Sequence, residues 1–264
     1  MDNLTSLDKA IDLLEHLHDA GGPRGITEIA RALGVPKSSA HRLLKTLVRR
    51  GFAEQDAYGR YGCGPALIAL GLGSLEREPI AALARPVLEA EAAATGETAF
   101  LVAPRGRELV VLDKAEGQGF LRAAPRVGQT VPVAATAVGR LAMAFDPARF
   151  PLAEHPPVAF TSVTQLAHEA VAAAIERARS EGFALNRGEW IEGLSVAAAP
   201  ILGASEPPAF LGAIAFAAPT PRLDALGPHA IAQRAVAAAR LISLRHAGRD
   251  PAWRRSPHSH GEAS

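Results

Sequence analysis

Residues 26–45 read ITEIARALGVPKSSAHRLLK, and this stretch decides how the first part of the chain folds. Thr27 is placed to cap a helix, Glu28 stands in the first turn, and Ile29, Ala30 and Leu33 recur at helical spacing as a short apolar face. Gly34 can take the left-handed conformation that ends a helix. Val35 precedes Pro36 and is pushed towards extended backbone, while Pro36 suits the opening position of a second helix. The small Ala30 permits close crossing. Two helices joined by a turn of about three or four residues containing glycine make a helix-turn-helix unit.

The second helix is expected from Lys37 to Arg50. At about 100° per residue, Ala40, Leu43, Leu44 and Leu47 share one sector; Ser38, Arg42, Lys45 and Arg49 lie opposite, flanked by His41 and Thr46. The apolar sector must bury, so the polar one faces outwards. It holds hydroxyls, cations and an imidazole but no carboxylate, which suits phosphate and base-edge contacts in a DNA major groove. A merely solvated basic face is the bland alternative, and two features weigh against it. From Gly21 to Gly62, eight Lys/Arg face three acids, an excess of +5 in a chain whose total is +1. Positive charge is thus concentrated on one module, as a DNA footprint requires. In addition, GFAEQ (51–55) and RYG (60–62) flank DAYG (56–59), a short hairpin with glycine in its turn. A hairpin after a recognition helix is a wing, which places Tyr58 and Arg60 near the DNA backbone. Ser38, Ser39, His41 and Arg42 are the expected base-edge residues, and Lys45, Arg49, Arg24 and Arg60 the expected phosphate residues.

At 264 residues the chain has room for a second domain beyond this module. A hydrophobic share of 48% with 21% charged residues fits a globular protein. No apolar run approaches the roughly 18–20 residues that span a bilayer, and MDNLT at the start lacks a signal-peptide pattern. Cys63, the single cysteine, excludes an internal disulfide and a cysteine-based metal site. Together these give a cytoplasmic expectation with no membrane partner; there, the sequon at Asn3 is irrelevant. Cys63 itself reads as a small residue behind the wing, since a redox role needs electropositive surroundings and only Arg60 offers them.

Residues 4–20 read as an amphipathic helix with Leu7, Ile11, Leu14 and Leu17 on its apolar side. Domain boundaries are expected at 1–64 for the winged helix-turn-helix, 65–95 for a linker helix region broken near Glu78-Pro79, and 96–247 for a second domain, with a disordered tail at 248–264. In the second domain the period shifts. Thr98–Ala103 and Glu108–Asp113 are strand-like, with Phe120–Arg122 a possible third strand; helices follow at Ala137–Phe145 and Thr164–Gly182, the latter turning Val171, Ile175 and Ala178 inwards. Strands are then expected at Phe183–Asn186, Ser195–Leu202 and Phe210–Ala217, and a last helix at Pro228–Arg245. This is an α+β arrangement with a mostly antiparallel sheet.

PKSSAHRLLKTLVRRGF, VGQTVPVAATAVGRLAMA, GEWIEGLSVAAAPI and LGAIAFAAPTPRL occur in that order, and over roughly residues 4–246 the chain resembles the IclR family of bacterial transcriptional regulators. The resemblance implies a C-terminal effector-binding domain of the GAF/PAS type, and homodimers or homotetramers on pseudo-palindromic double-stranded operator DNA. It also implies a pocket for small acids, built from backbone amides, an acid, a cysteine and two strand serines. Carried over, the amide turn is Ala135–Gly139, with Ala137, Val138 and Gly139 opening a helix; Asn186 stands at the acid position, Val196 at the cysteine position, and Ala215 and Ala217 at the serine positions. A glyoxylate-like anion would lose most of its side-chain donors here, at about 1–3 kcal/mol for each group left unpaired. An apolar or aromatic effector with one carboxylate on the helix-start amides fits better. A pocket that binds nothing is the plain alternative.

No cofactor, metal or catalytic set is expected. His16 and His18 point to different helix faces, His258 and His260 lie in the tail, and Gly62-x-Gly64 and Gly71-x-Gly73 follow no buried strand of a βαβ unit. Glu189 and Glu192 are expected to orient a pocket strand or face water; Trp190 can line or seal the pocket, with core packing the favoured reading. The rival readings are an effector-independent DNA binder and an enzyme with an adaptor module.

Overall fold

The computed structural model describes residues 5–76, 78–118 and 125–248. The expected strand at Phe120–Arg122, the tail from residue 249 and the residues Asn3, His258 and His260 lie outside them. The chain divides between Glu78 and Pro79 into two compact units.

The first unit begins with α1 (Ser6–Asp19), fixed at its start by a capping box in which Thr5 and Asp8 satisfy each other's backbone N–H. Leu13 and Leu17 are its buried residues; of the apolar side expected from spacing, Leu17 is buried and Leu14 half-buried, whereas Leu7 and Ile11 are exposed. Helix α2 (Ile26–Ala32) starts after Gly25, which places Thr27 inside the first turn and not at the cap. Gly34 has φ +62, as the turn requires. Helix α3 (Lys37–Arg49) buries Ala40 and Leu44 and half-buries Leu43 and Leu47. Strands β1 (Ala53–Gln55) and β2 (Tyr61–Cys63) form the antiparallel hairpin, and Arg24 exchanges two 2.8 Å backbone bonds with Tyr61 on its outer edge. Leu13, Leu17, Ile29, Leu44, Ala53 and Tyr61 make the core of this unit. Helix α4 (Pro65–Glu76) follows, with Ile68, Leu70 and Leu72 exposed.

The second unit is built on a six-stranded antiparallel sheet. Its strands are β3 (Thr98–Arg105), β4 (Glu108–Ala115), β5 (Thr130–Val131), β6 (Ala184–Arg187), β7 (Leu194–Leu202) and β8 (Phe210–Pro219), in the spatial order β5-β4-β3-β8-β7-β6. Both faces are covered, which explains why the strands read as nearly continuous apolar runs. Along β8 the alternation is clean. Ile214, Phe216 and Ala218 join the core shared with α5 (Pro79–Thr95) and α9 (Pro228–Ala247). Ala213, Ala215 and Ala217 join the core shared with α6 (Ala137–Phe145) and α7 (His168–Glu181). Val171 and Ala178 of α7 are buried and Ile175 half-buried, as expected. One further helix, α8 (Thr220–Leu226), follows β8 directly; its seven residues are too few for a periodic signal.

Candidate functional site

On α3, Ser38, His41, Arg42, Lys45 and Arg49 are exposed and Ser39 is half-buried. No ion pair engages Arg42, Lys45 or Arg49 among the described residues. At the tip of the β1–β2 hairpin Tyr58 is 85% exposed, and the Arg60 guanidinium lies 5.4 Å from its ring centroid. Asp56 organises this tip: one carboxylate oxygen accepts from the amides of Tyr58 and Arg60 at 2.9 Å each, and the other accepts from Arg60 Nε at 2.8 Å. The Arg60 amide, more than any other donor, holds the Asp56 carboxyl below its ordinary value. Arg24 is also engaged, donating to the Ala20 carbonyl at 2.8 Å and pairing with Glu28 at 3.3 Å. The expected contact residues therefore differ in kind. Those of α3 carry uncommitted charge, while Arg24 and Arg60 already have protein partners.

Cys63, the last residue of β2, is half-buried, and burial, reinforced by Glu54, pushes its thiol up. It stays a protonated thiol at neutral pH, the opposite of a redox sensor's thiolate.

In the second unit a narrow, shallow cavity opens beside the start of α6. Four of the expected residues line it: Ala137, Val138, Asn186 and Val196. The other three do not. Gly139 donates its N–H to the N-cap hydroxyl of Thr136 at 3.0 Å, and a Cβ there would sit 1.7 Å from the Val133 carbonyl oxygen. It is a close-packing glycine and not a free donor. Ala215 and Ala217 lie under the cavity in the sheet, paired with Ala198 and Val196 of β7. Asn186 is 4% exposed and spends its amide on the fold, donating to the Ala135 carbonyl at 2.7 Å and accepting from the Glu189 amide at 3.3 Å.

Thr136, part of the expected turn, also lines it, whereas Phe100, Val131, Ile191 and Leu194 escaped sequence reasoning. Trp190, expected in the core, borders the cavity as well as packing against the α6–α7 core. The lining is overwhelmingly apolar, and Thr136 and Asn186 are its polar side chains.

Glu189 does not face water. It is 5% exposed and forms a two-pronged ion pair with Arg140, which is 3% exposed, with Nη1 to Oε1 at 2.9 Å. Thr161 and Thr164 hold the Gly188 and Glu189 carbonyls at 2.7 and 2.6 Å. Removing one partner of such a buried pair costs about 3–5 kcal/mol, so it fastens the loop bearing Trp190 to α6. The pairing residue Arg140 had no signal of its own in the sequence. Among the described residues no group of three or more His, Cys, Asp or Glu is arranged to hold a metal, and no helix is long and apolar enough to cross a membrane.

Comparison with known proteins gives the same division of labour. The family model for the IclR helix-turn-helix domain matches residues 6–57, and that for the bacterial transcriptional regulator IclR C-terminal domain matches residues 72–244. The HTH-type transcriptional regulator XynR of Escherichia coli is 31% identical over 75% of this chain and 80% of its own length. The crystal structure of Thermotoga maritima IclR superposes with a TM-score of 0.76 at 25% identity, covering 91% of this chain and 98% of that one. An IclR homologue from Microbacterium hydrocarbonoxydans, complexed with 4-hydroxybenzoate, shares the fold at a TM-score of 0.70 and 20% identity, over 91% of this chain and 98% of its own. With a DNA-binding helix-turn-helix unit and an effector-binding C-terminal domain, the chain belongs to the IclR family of bacterial transcriptional regulators.

Proposed function

We propose that this regulator reads operator DNA with α3 and responds to an apolar or aromatic monocarboxylate held in the cavity beside α6. The observation that carries the effector class is the lining. Phe100, Trp190, Ile191, Leu194 and Val196 offer an apolar surface, and the polar groups of Thr136 and Asn186 are already engaged. Since Gly139 N–H serves the N-cap, the carboxylate falls to the amides of Ala137 and Val138. On the DNA side, Ser38, Ser39, His41 and Arg42 reach base edges, Lys45 and Arg49 hold phosphates, and Tyr58, Arg60 and Arg24 brace the wing against the backbone. The cation-bearing face of α3 supports that reading.

The protein acts in the cytoplasm as a homodimer or homotetramer. Paired exposed residues Leu7 and Ile11 on α1, and Ile68 and Leu72 on α4, support self-association. Sedimentation velocity checks this: Ile68→Glu with Leu72→Glu is expected to lower the sedimentation coefficient, and an unchanged value would remove α4 from the interface.

Thermal unfolding tests the effector class, using benzoate and 4-hydroxybenzoate against glyoxylate and pyruvate. A ligand at about 100 times its Kd stabilises by about 2.7 kcal/mol, enough for a clear shift in Tm. The aromatic acids are expected to raise Tm and Trp190→Ala to abolish the rise. Stabilisation by glyoxylate or pyruvate alone would overturn the assignment.

A further inference from the structure

A second cavity opens beside Arg140, lined by residues of α7 and β6. Phe183 and Leu185 give it an apolar floor, and Arg140, Arg177, Glu181 and His229 supply its polar groups. Arg177 and Glu181 stand one turn apart on α7. The same Arg-to-Glu spacing closes into an ion pair elsewhere, at 3.3 Å for Arg24 and Glu28 and 2.7 Å for Arg85 and Glu89. Here, among the described residues, neither member is paired, and both flank the cavity. Deeper in, Arg140 has a buried Nε without a hydrogen-bond partner, although both its Nη atoms bind Glu189.

The polar groups carry both signs, and that constrains the ligand. A simple anion would meet Glu181, and a simple cation would meet Arg177. A zwitterion, with a carboxylate and an ammonium borne on one carbon, meets each of them with the opposite charge. We propose that this cavity binds an α-amino acid with an apolar side chain. Its carboxylate lies on Arg177 and His229, its ammonium on Glu181, and its side chain on Phe183 and Leu185. Because Arg140 also holds Glu189, next to Trp190, this site shares one side chain's contacts with the cavity beside α6.

Calorimetry on the full chain with L-phenylalanine as probe tests the assignment. Saturable binding is expected; in the Trp190→Ala variant, which lacks effector binding beside α6, it is weakened about tenfold for 3-phenylpropionate, which lacks the ammonium, and for phenethylamine, which lacks the carboxylate. Arg177→Ala and Glu181→Gln, both at exposed helix positions, are each expected to weaken L-phenylalanine about tenfold without changing thermal unfolding. Trp190→Ala is expected to leave that binding intact, which separates this site from the effector cavity. No saturation up to about 10 mM would overturn the proposal. Equal affinity for 3-phenylpropionate in the Trp190→Ala variant would overturn it too, as would L-phenylalanine binding lost with Trp190→Ala yet kept in the Arg177→Ala, Glu181→Gln double variant.

Discussion

Among single residues, the cations of the first unit separate by what already holds them. Arg42 on α3 is exposed and uncommitted, so its donors are available to a base edge. Arg42→Ala is expected to cost about 1–3 kcal/mol of operator binding and to flatten sequence preference, read by fluorescence anisotropy on operator and scrambled duplexes. Lys45→Ala is expected to weaken both duplexes alike and to lower the slope of log K against log salt by about one. A uniform loss with Arg42→Ala would move that residue to the phosphate class. Asp56 sets a pH limit on the wing. Its carboxyl is held below its ordinary 3.8, first by the Arg60 amide, so the charged form is the one the folded wing favours. A depressed value means this contribution is present above 3.8 and is lost as pH falls through the lower folded value. The amide resonances of Tyr58 and Arg60 are therefore expected to titrate together with a midpoint below 3.8, and a midpoint at or above it would detach Asp56 from the wing.

Elements differ in how legible they are, and the reason is whether their signal is local. Helix α3 and the hairpin announce themselves, because Gly34, Pro36 and a leucine stripe act within a few residues. Helix α1 does not: Leu7, Ile11 and Leu14 fit helical spacing as well as Leu13 and Leu17 do, and only packing against Ile29, Leu44 and Tyr61 decides which pair is buried. The cavity shows the same limit. The start of α6 and the position of Asn186 are visible in sequence, but the register of β7 against β8 determines that Val196 borders the cavity while Ala215 and Ala217 lie beneath it. Likewise Arg140 and Glu189 are 49 residues apart, and no motif joins them. Gly139 was legible as a turn residue but not as a spacer. Its missing Cβ lets α6 approach the Val133 carbonyl, so Gly139→Ala must displace backbone and not a side-chain tip. Such overpacking typically costs about 1–3 kcal/mol. Denaturant unfolding of Gly139→Ala is expected to show that loss together with weaker aromatic-acid binding; an unchanged midpoint would mean that α6 can retreat freely.

Across the whole molecule, DNA binding and effector binding differ in their response to salt, and that difference makes their coupling measurable. The +5 excess between Gly21 and Gly62 belongs to the DNA-binding unit, while the cavity beside α6 is lined mainly by apolar groups. Raising salt therefore releases DNA steeply through counterion competition but leaves an apolar acid's affinity for the free protein much less changed. If benzoate alters operator affinity by some factor, operator must alter benzoate affinity by the same factor, since both routes end at one ternary complex. Couplings of this kind usually amount to about 1–3 kcal/mol, or roughly 5- to 150-fold. Anisotropy with and without saturating benzoate gives one factor, and calorimetry of benzoate with and without operator duplex gives the other. The two are expected to agree, and Trp190→Ala is expected to bring both to unity while operator binding alone survives. Factors of unity in the unmodified protein, with benzoate demonstrably bound, would make the second unit a ligand-binding body with no hold on DNA.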